Sequence, residues 1–192
     1  LNWEAAYAKK YTIDVSDGAN VVLGGFGGDS ITTTAGNDLV VGDNGRILYS
    51  GATVGNVIVK METTDDATTT GGNDTINVGA GENRVLGGMG ADSVTSSGAF
   101  VDIVMGDNGE LNWNTAGVIT SFTTTQEDKG GDDTLNLADG ENIAIGGFGK
   151  DTINTGMHAD VIVGDHGAAT YVGGVMTQLK TNDTDPTHGD VD

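Results

Sequence analysis

An apolar residue returns every nine positions along most of this chain. Ile13, Val22, Ile31 and Val40 lie nine apart, Ile76, Val85 and Val94 follow the same step with Val104 one residue late, and Leu135, Ala144, Ile153 and Ile162 repeat it. All but Ile13 stand two places after an Asp or Asn. A nine-residue period suits a strand of about three residues followed by a turn of about six. Two repeats then close one coil, with one strand in each of two parallel sheets, and the branched residue points into a narrow interior. No coil buries enough surface alone, so stacking is obligatory. The turns call for glycine, whose backbone reaches conformations other residues resist; 33 of the 192 residues are Gly and only one is Pro.

A longer period overlies the short one. GGFGGD at Gly24 to Asp29 returns as GGMGAD at Gly87 to Asp92 and as GGFGKD at Gly146 to Asp151, 63 and 59 residues further on. GDNG at Gly42 to Gly45 and Gly106 to Gly109, with GDHG at Gly164 to Gly167, keeps the same rhythm. The expectation is one continuous solenoid of three units, spanning residues 1–70, 71–129 and 130–192. The opening LNWEAAYAKK reads as the cut edge of a longer protein.

GGFGGDSIT, GGMGADSVT and GGFGKDTIN match the pattern G-G-x-G-x-D-x-U-x and resemble the haemolysin-type (RTX) calcium-binding nonapeptide repeat. The resemblance implies an all-β fold, a parallel β-roll (β-solenoid) of nine-residue repeats, and several bound Ca2+ ions. It also implies that the Asp and carbonyls of one turn share an ion with the turn one coil on. The chemistry agrees, since calcium takes six to eight oxygens from carboxylates and carbonyls. If successive repeats alternate between the edges of the roll, one edge carries Tyr11, Asp29, Asp74, Asp92, Asp133 and Asp151, and the other Asn20, Asp38, Asn83, Asp102, Asn142 and Asp160. Asn keeps an oxygen but lacks charge, so sites on the second edge should be fewer or weaker. Tyr11 breaks the pattern in the first coil. The expected carbonyl donors are Gly24, Gly27, Gly72, Gly87, Gly90, Gly131, Gly146 and Gly149.

Asp38 to Asp74 is 36 residues and Asp102 to Asp133 is 31, where nine would be expected. Extra segments must therefore loop out of one turn. Residues 46–62, 110–125 and 168–180 read as apolar strands around a turn, that is, inserted β-hairpins. Asp43, Asp107 and Asp165 stand where each insertion leaves the roll, either as extra ligands or as Asx turns that fix the bend. Residues flanking the inward position point outward. On the first sheet these are Ser, Thr and Asn; on the second, eleven of the twelve from Val21 to Val163 are apolar, Arg84 excepted. Such a face needs a cover. The candidates are the hairpins, through Ile47, Tyr49, Val57, Val59, Leu111, Trp113, Ile119, Phe122, Tyr171 and Met176, or self-association with another chain.

Formal charge is −20, with 28 acidic against 8 basic residues, which disfavours nucleic acid and anionic lipid as partners and favours cations. Disorder is the competing reading of so acidic a chain, and the regular apolar spacing argues against it. No apolar run reaches membrane-spanning length, so no membrane insertion is expected. There is no cysteine, so stability comes from packing or metal. Enzyme signatures are missing: no lysine stands in a P-loop position, His158, His166 and His188 are scattered without HExxH spacing, and no Gly-x-Ser-x-Gly elbow occurs. The expected function is a calcium-stabilised structural or adhesive segment of a long secreted or cell-surface bacterial protein, of a kind that can form fibres, and not an enzyme. The alternative is a calcium-binding carrier or a ligand-binding (ice, glycan) module attached to a secreted hydrolase or toxin.

Overall fold

The computed structural model describes residues 9–51 and 57–183. His188 and the middle of the first insertion, residues 52–56, lie outside the described residues. Eighteen strands, numbered along the chain, form three six-stranded sheets, and there is no helix among the described residues.

Two parallel sheets make the roll. The first holds β1 (Thr12–Asp14), β3 (Ser30–Thr32), β7 (Thr75–Ala80), β9 (Ser93–Ser97), β13 (Thr134–Asn136) and β15 (Thr152–Asn154) in that order. The second holds β2 (Val21–Leu23), β4 (Leu39–Val41), β8 (Arg84–Leu86), β10 (Ile103–Met105), β14 (Ile143–Ile145) and β16 (Val161–Val163). Register follows the nine-residue step: Ile13, Ile31, Ile76, Val94, Leu135 and Ile153 stack as one column, and Val22, Val40, Val85, Val104, Ala144 and Ile162 as the other. The late arrival of Val104 is absorbed in the turn before it, so Val104 still pairs with Val85 and Ala144. The two columns meet in one apolar core, apart from Ile162, which is exposed in the last coil; the core also takes in Val78 from the end of β7 and Leu137 from the turn after β13.

The third sheet is antiparallel and made of the insertions: β5 (Gly45–Tyr49), β6 (Ile58–Thr63), β11 (Gly109–Trp113), β12 (Ile119–Thr124), β17 (Gly167–Val172) and β18 (Val175–Thr181), side by side. Its neighbours are stitched at the base. Gly109 N donates to Thr63 Oγ1 at 3.1 Å, and Gly167 N donates to Thr124 Oγ1 at 3.1 Å. Between this sheet and the outer face of the second roll sheet lies a further core of Val41, Leu86, Ile103, Met105, Ile143, Ile145 and Val163 against Met61, Leu111, Phe122 and Ala169. The apolar face is therefore covered by the chain's own hairpins. The roster of covering residues differs in part from expectation: Tyr49 and Val57 remain exposed, while Met61 and Ala169 are fully enclosed. Val21 and Leu23, in the first coil, also stay exposed because no hairpin strand reaches over them as it does over later coils. The first roll sheet, by contrast, turns Ser30, Thr32, Thr75, Asn77 and their equivalents to solvent, none of them buried.

Candidate metal centre

The turns that lead from the second roll sheet to the first form one edge, and each carries an Asp just before its next strand. The carboxylates are strung into a ladder. Asp29 Oδ1 accepts the backbone N–H of Tyr11 at 2.7 Å, Asp74 Oδ1 that of Asp29 at 2.6 Å, Asp92 Oδ1 that of Asp74 at 2.7 Å, Asp133 Oδ1 that of Asp92 at 2.7 Å, and Asp151 Oδ1 that of Asp133 at 2.8 Å. One oxygen of each carboxylate is thereby spent on holding the coil before it. The other oxygen is enclosed, and Oδ2 of Asp29, Asp74, Asp92 and Asp133 has no hydrogen-bond partner.

Those second oxygens point at glycines that could not be anything else. A methyl at Gly24 would overlap Gly42 O and meet Asp29 Oδ2; at Gly87, Gly106 O and Asp92 Oδ2; at Gly146, Gly164 O and Asp151 Oδ2. Gly42 and Gly106 repeat the arrangement with Asp74 Oδ2 and Gly87 O, and with Asp133 Oδ2 and Gly146 O. Each glycine thus floors a small cradle where a carboxylate oxygen of its own turn or the one its chain returns to and a carbonyl of the next coil approach each other. Gly27, Gly90 and Gly149 adopt φ of +92°, +117° and +119°, the left-handed region that glycine tolerates. Gly72 and Gly131 contribute their N–H groups, to Asp43 Oδ1 at 3.1 Å and Asp107 Oδ1 at 3.0 Å.

Enclosing like charges in a row has an electrostatic cost that shows in the carboxyls' proton affinity. Burial pushes Asp74 up to about 7 and raises Asp29. Asp92 and Asp133 are raised as well, first by burial and then by the neighbouring carboxylates Asp133 and Asp151 respectively. A divalent cation paired with the ionised carboxylates would offset both causes at once. The donor set, hard anionic and carbonyl oxygens without nitrogen or sulfur, fits calcium. Among the described residues no three carboxylate, imidazole or thiol groups gather at one point, so an ion here would draw on backbone carbonyls for most of its shell.

Asp43 and Asp107 stand differently. Both oxygens of each accept backbone N–H groups: Asp43 from Gly72 and, at 2.6 Å, from Met89, and Asp107 from Gly131 and Phe148. Each therefore fastens the turn that the insertion interrupts to the turn after it. Burial, then Asp74, pushes Asp43 up to about 9, and burial followed by Asp133 raises Asp107. Asp165 holds the equivalent place in the last coil.

On the opposite edge, Asp38, Asp102 and Asp160 alternate with asparagines in a second ladder. Asn20 N donates to Asp38 Oδ1 at 2.8 Å, Asp38 N to Asn83 Oδ1 at 3.1 Å, Asn83 N to Asp102 Oδ1 at 2.9 Å, Asp102 N to Asn142 Oδ1 at 3.1 Å, and Asn142 N to Asp160 Oδ1 at 2.9 Å. Gly42, Gly106 and Asp65 were not legible as site residues. The hairpins separate the first two from the rest of their turns in sequence, and Asp65, buried at the hairpin base, accepts from Asn44 N at 3.1 Å and Asn44 Nδ2 at 2.8 Å.

Compared with known protein families, residues 14–46, 62–94 and 138–170, just over half of the chain, match the model described as RTX calcium-binding nonapeptide repeat (4 copies). Asp102, Asp107 and Asp133 lie between the matched stretches. No curated protein and no solved structure matches the chain.

Proposed function

The chain belongs to the RTX calcium-binding nonapeptide-repeat family, and from that premise we propose that its calcium ions lie along the Asp29 to Asp151 edge and convert this segment from an extended chain into a rigid spacer. The observation that carries the reading is the row of enclosed Oδ2 atoms of Asp29, Asp74, Asp92 and Asp133 without hydrogen bonds, each beside a glycine cradle. Asp29, Asp74, Asp92, Asp133 and Asp151 would supply the charge, and Gly42, Gly87, Gly106, Gly146 and Gly164 carbonyls. Bound there, calcium supplies charge neutralisation between coils, so that binding free energy becomes folding free energy. Asp43 and Asp107, with both oxygens engaged by N–H groups, act as staples across the insertions.

We read the segment as structural or adhesive and non-catalytic, part of a long secreted or cell-surface protein organised in units of about sixty residues. A calcium-rich exterior would fold what a calcium-poor cytosol leaves extended. Circular dichroism tests it: the β signal should fall in EDTA and return with excess calcium, and a spectrum indifferent to thorough chelation rules the proposal out. A second reading, binding of ice or glycan, draws support from the in-register outward ranks Ser30, Thr75, Ser93, Thr134 and Thr32, Asn77, Thr95, Asn136. A freezing-hysteresis assay separates the ice case, giving a thermal gap only if that face engages ice.

A further inference from the structure

The two edges of the roll are built on the same nine-residue step yet fill their turns with different matter. On the edge described above, the residue five places before each of Asp29, Asp92 and Asp151 is glycine: Gly24, Gly87 and Gly146. On the opposite edge, the residue five places before Asn20, Asn83 and Asn142 is Val15, Val78 and Leu137. Val78 and Leu137 are only 3% and 5% exposed and Val15 packs against the same core. Where one edge keeps an oxygen-lined cradle, the other has a branched side chain in the equivalent place.

The asparagine side chains complete the difference. Asn83 Nδ2 donates to Gly79 O at 2.9 Å and Gly81 O at 3.1 Å, the carbonyls four and two residues back in its own turn. Asn20 Nδ2 does the same to Ser16 O and Gly18 O, both at 2.9 Å, and Asn142 Nδ2 donates to Ala138 O at 2.8 Å. The amide cannot be turned round. Flipping Asn83 would set its oxygen against two carbonyl oxygens and its NH2 against the Asp38 N–H that Oδ1 now accepts. The carbonyls that a cation would recruit in these turns are thus already satisfied by an N–H group.

We propose that calcium enters only the edge of Asp29, Asp74, Asp92, Asp133 and Asp151, and that on the other edge the amides of Asn20, Asn83 and Asn142, backed by Val15, Val78 and Leu137, stand in for the ion and zip the coils without metal. This rests on the calcium reading above and adds to it which half of the roll the ion controls. The aspartates between the asparagines fit. Asp38 and Asp102 each give Oδ1 to an Asn N–H, and Asp102 takes a further bond from Ser96. Asp38 Oδ2 is enclosed without a partner, but the turns on both sides have their carbonyls taken by Asn20 and Asn83 and its own turn begins at the buried Thr33 instead of a glycine. One oxygen is far short of the six to eight that calcium takes. The consequence is one seam that needs no metal of its own once the coils stack, with the metal-controlled seam opposite.

The test counts ions on the full chain by native mass spectrometry across a calcium titration, for the parent chain and for Asp92→Asn and Asp38→Asn. Asp92→Asn should lose at least one bound ion, while Asp38→Asn keeps the parent count and affinity. If Asp38→Asn does not fold, Asp160→Asn, in the partly exposed last coil, is read in its place with the same expectation. Loss of an ion from Asp38→Asn or Asp160→Asn equal to that from Asp92→Asn overturns the one-edge assignment while leaving calcium binding intact. A parent chain that holds no calcium at all sinks the calcium reading itself, a result that the variants cannot mimic.

Discussion

A single aspartate in this roll performs two tasks with its two oxygens, and the glycine beside it decides whether the second can be done. Asp92 illustrates the division: Oδ1 holds the backbone of Asp74, and Oδ2 faces the cradle at Gly87. The aspartates were visible in the sequence because their spacing repeats. The cradle was visible only in part, since Gly24, Gly87 and Gly146 open a recognisable motif, whereas Gly42 and Gly106 sit before an insertion that hides their spacing to Asp74 and Asp133. Nor does spacing reveal which oxygen of Asp43 meets which N–H; that depends on two turns folding together. Gly87→Ala should test the cradle directly. The substitution puts a methyl on Gly106 O and Asp92 Oδ2, and since Gly87 does not adopt a left-handed backbone the cost falls on the ion site. Calcium affinity should drop by roughly tenfold or more, about 1.4 kcal/mol per decade, with a matching fall in Tm in calcium. Gly18→Ala is the control: φ is +125° with nothing within 4 Å, so its effect should be backbone strain alone and calcium affinity should stay as it was. Equal affinity for Gly87→Ala and the parent chain would show that the glycine does not shape the site.

Strands as short as three residues are held by what lies on both sides of them, and the two roll sheets differ in just this respect. β10 is buried at all three positions, Val104 inward to the roll and Ile103 and Met105 outward to the hairpin sheet. The alternation of apolar residues made both roll sheets legible, including the need to cover the second. The pairing partners of the hairpins were less so. A hairpin strand shifted by one residue reverses its faces, and the bulges after Leu48, Asn112 and Thr170 introduce such shifts. Past the first of these shifts Tyr49 lies exposed, whereas Met61, paired with Ile47 before it, is enclosed. Phe122 is the largest fully buried side chain at this interface, with Tyr171 tilted against it at 6.1 Å between ring centres. Phe122→Ala should cost about 3–5 kcal/mol, read as a lower Tm with calcium saturating. Ile103→Asp with Met105→Asp should be worse, because two charges would be enclosed without partners. Melting of either variant at the parent temperature would mean that the hairpin sheet is not seated on the roll in solution.

At the scale of the whole molecule, a chain of formal charge −20 folds around rows of its own carboxylates, and protons and calcium compete to neutralise them. The direction of the proton effect follows from linkage. Asp74 and Asp43 are pushed by burial to about 7 and about 9, and Asp29, Asp92, Asp107 and Asp133 are raised too, against an unfolded value near 4. Between those values the folded chain binds more protons than the unfolded one. Stability without metal is therefore full below the unfolded pKa and declines as pH rises through 7 and then 9. In chelator, the chain should melt higher and keep more β signal at pH 5 than at pH 8, the reverse of an ordinary protein whose carboxylates are salt-bridged when folded. Calcium should cancel or invert the trend, because the ion needs ionised ligands and loses them to protons as pH falls. Thermal melts at the two pH values, each in EDTA and in saturating calcium, supply the four numbers required. A chelated chain at least as stable at pH 8 as at pH 5 would show that protons on the enclosed Asp rows do not stand in for the missing ion.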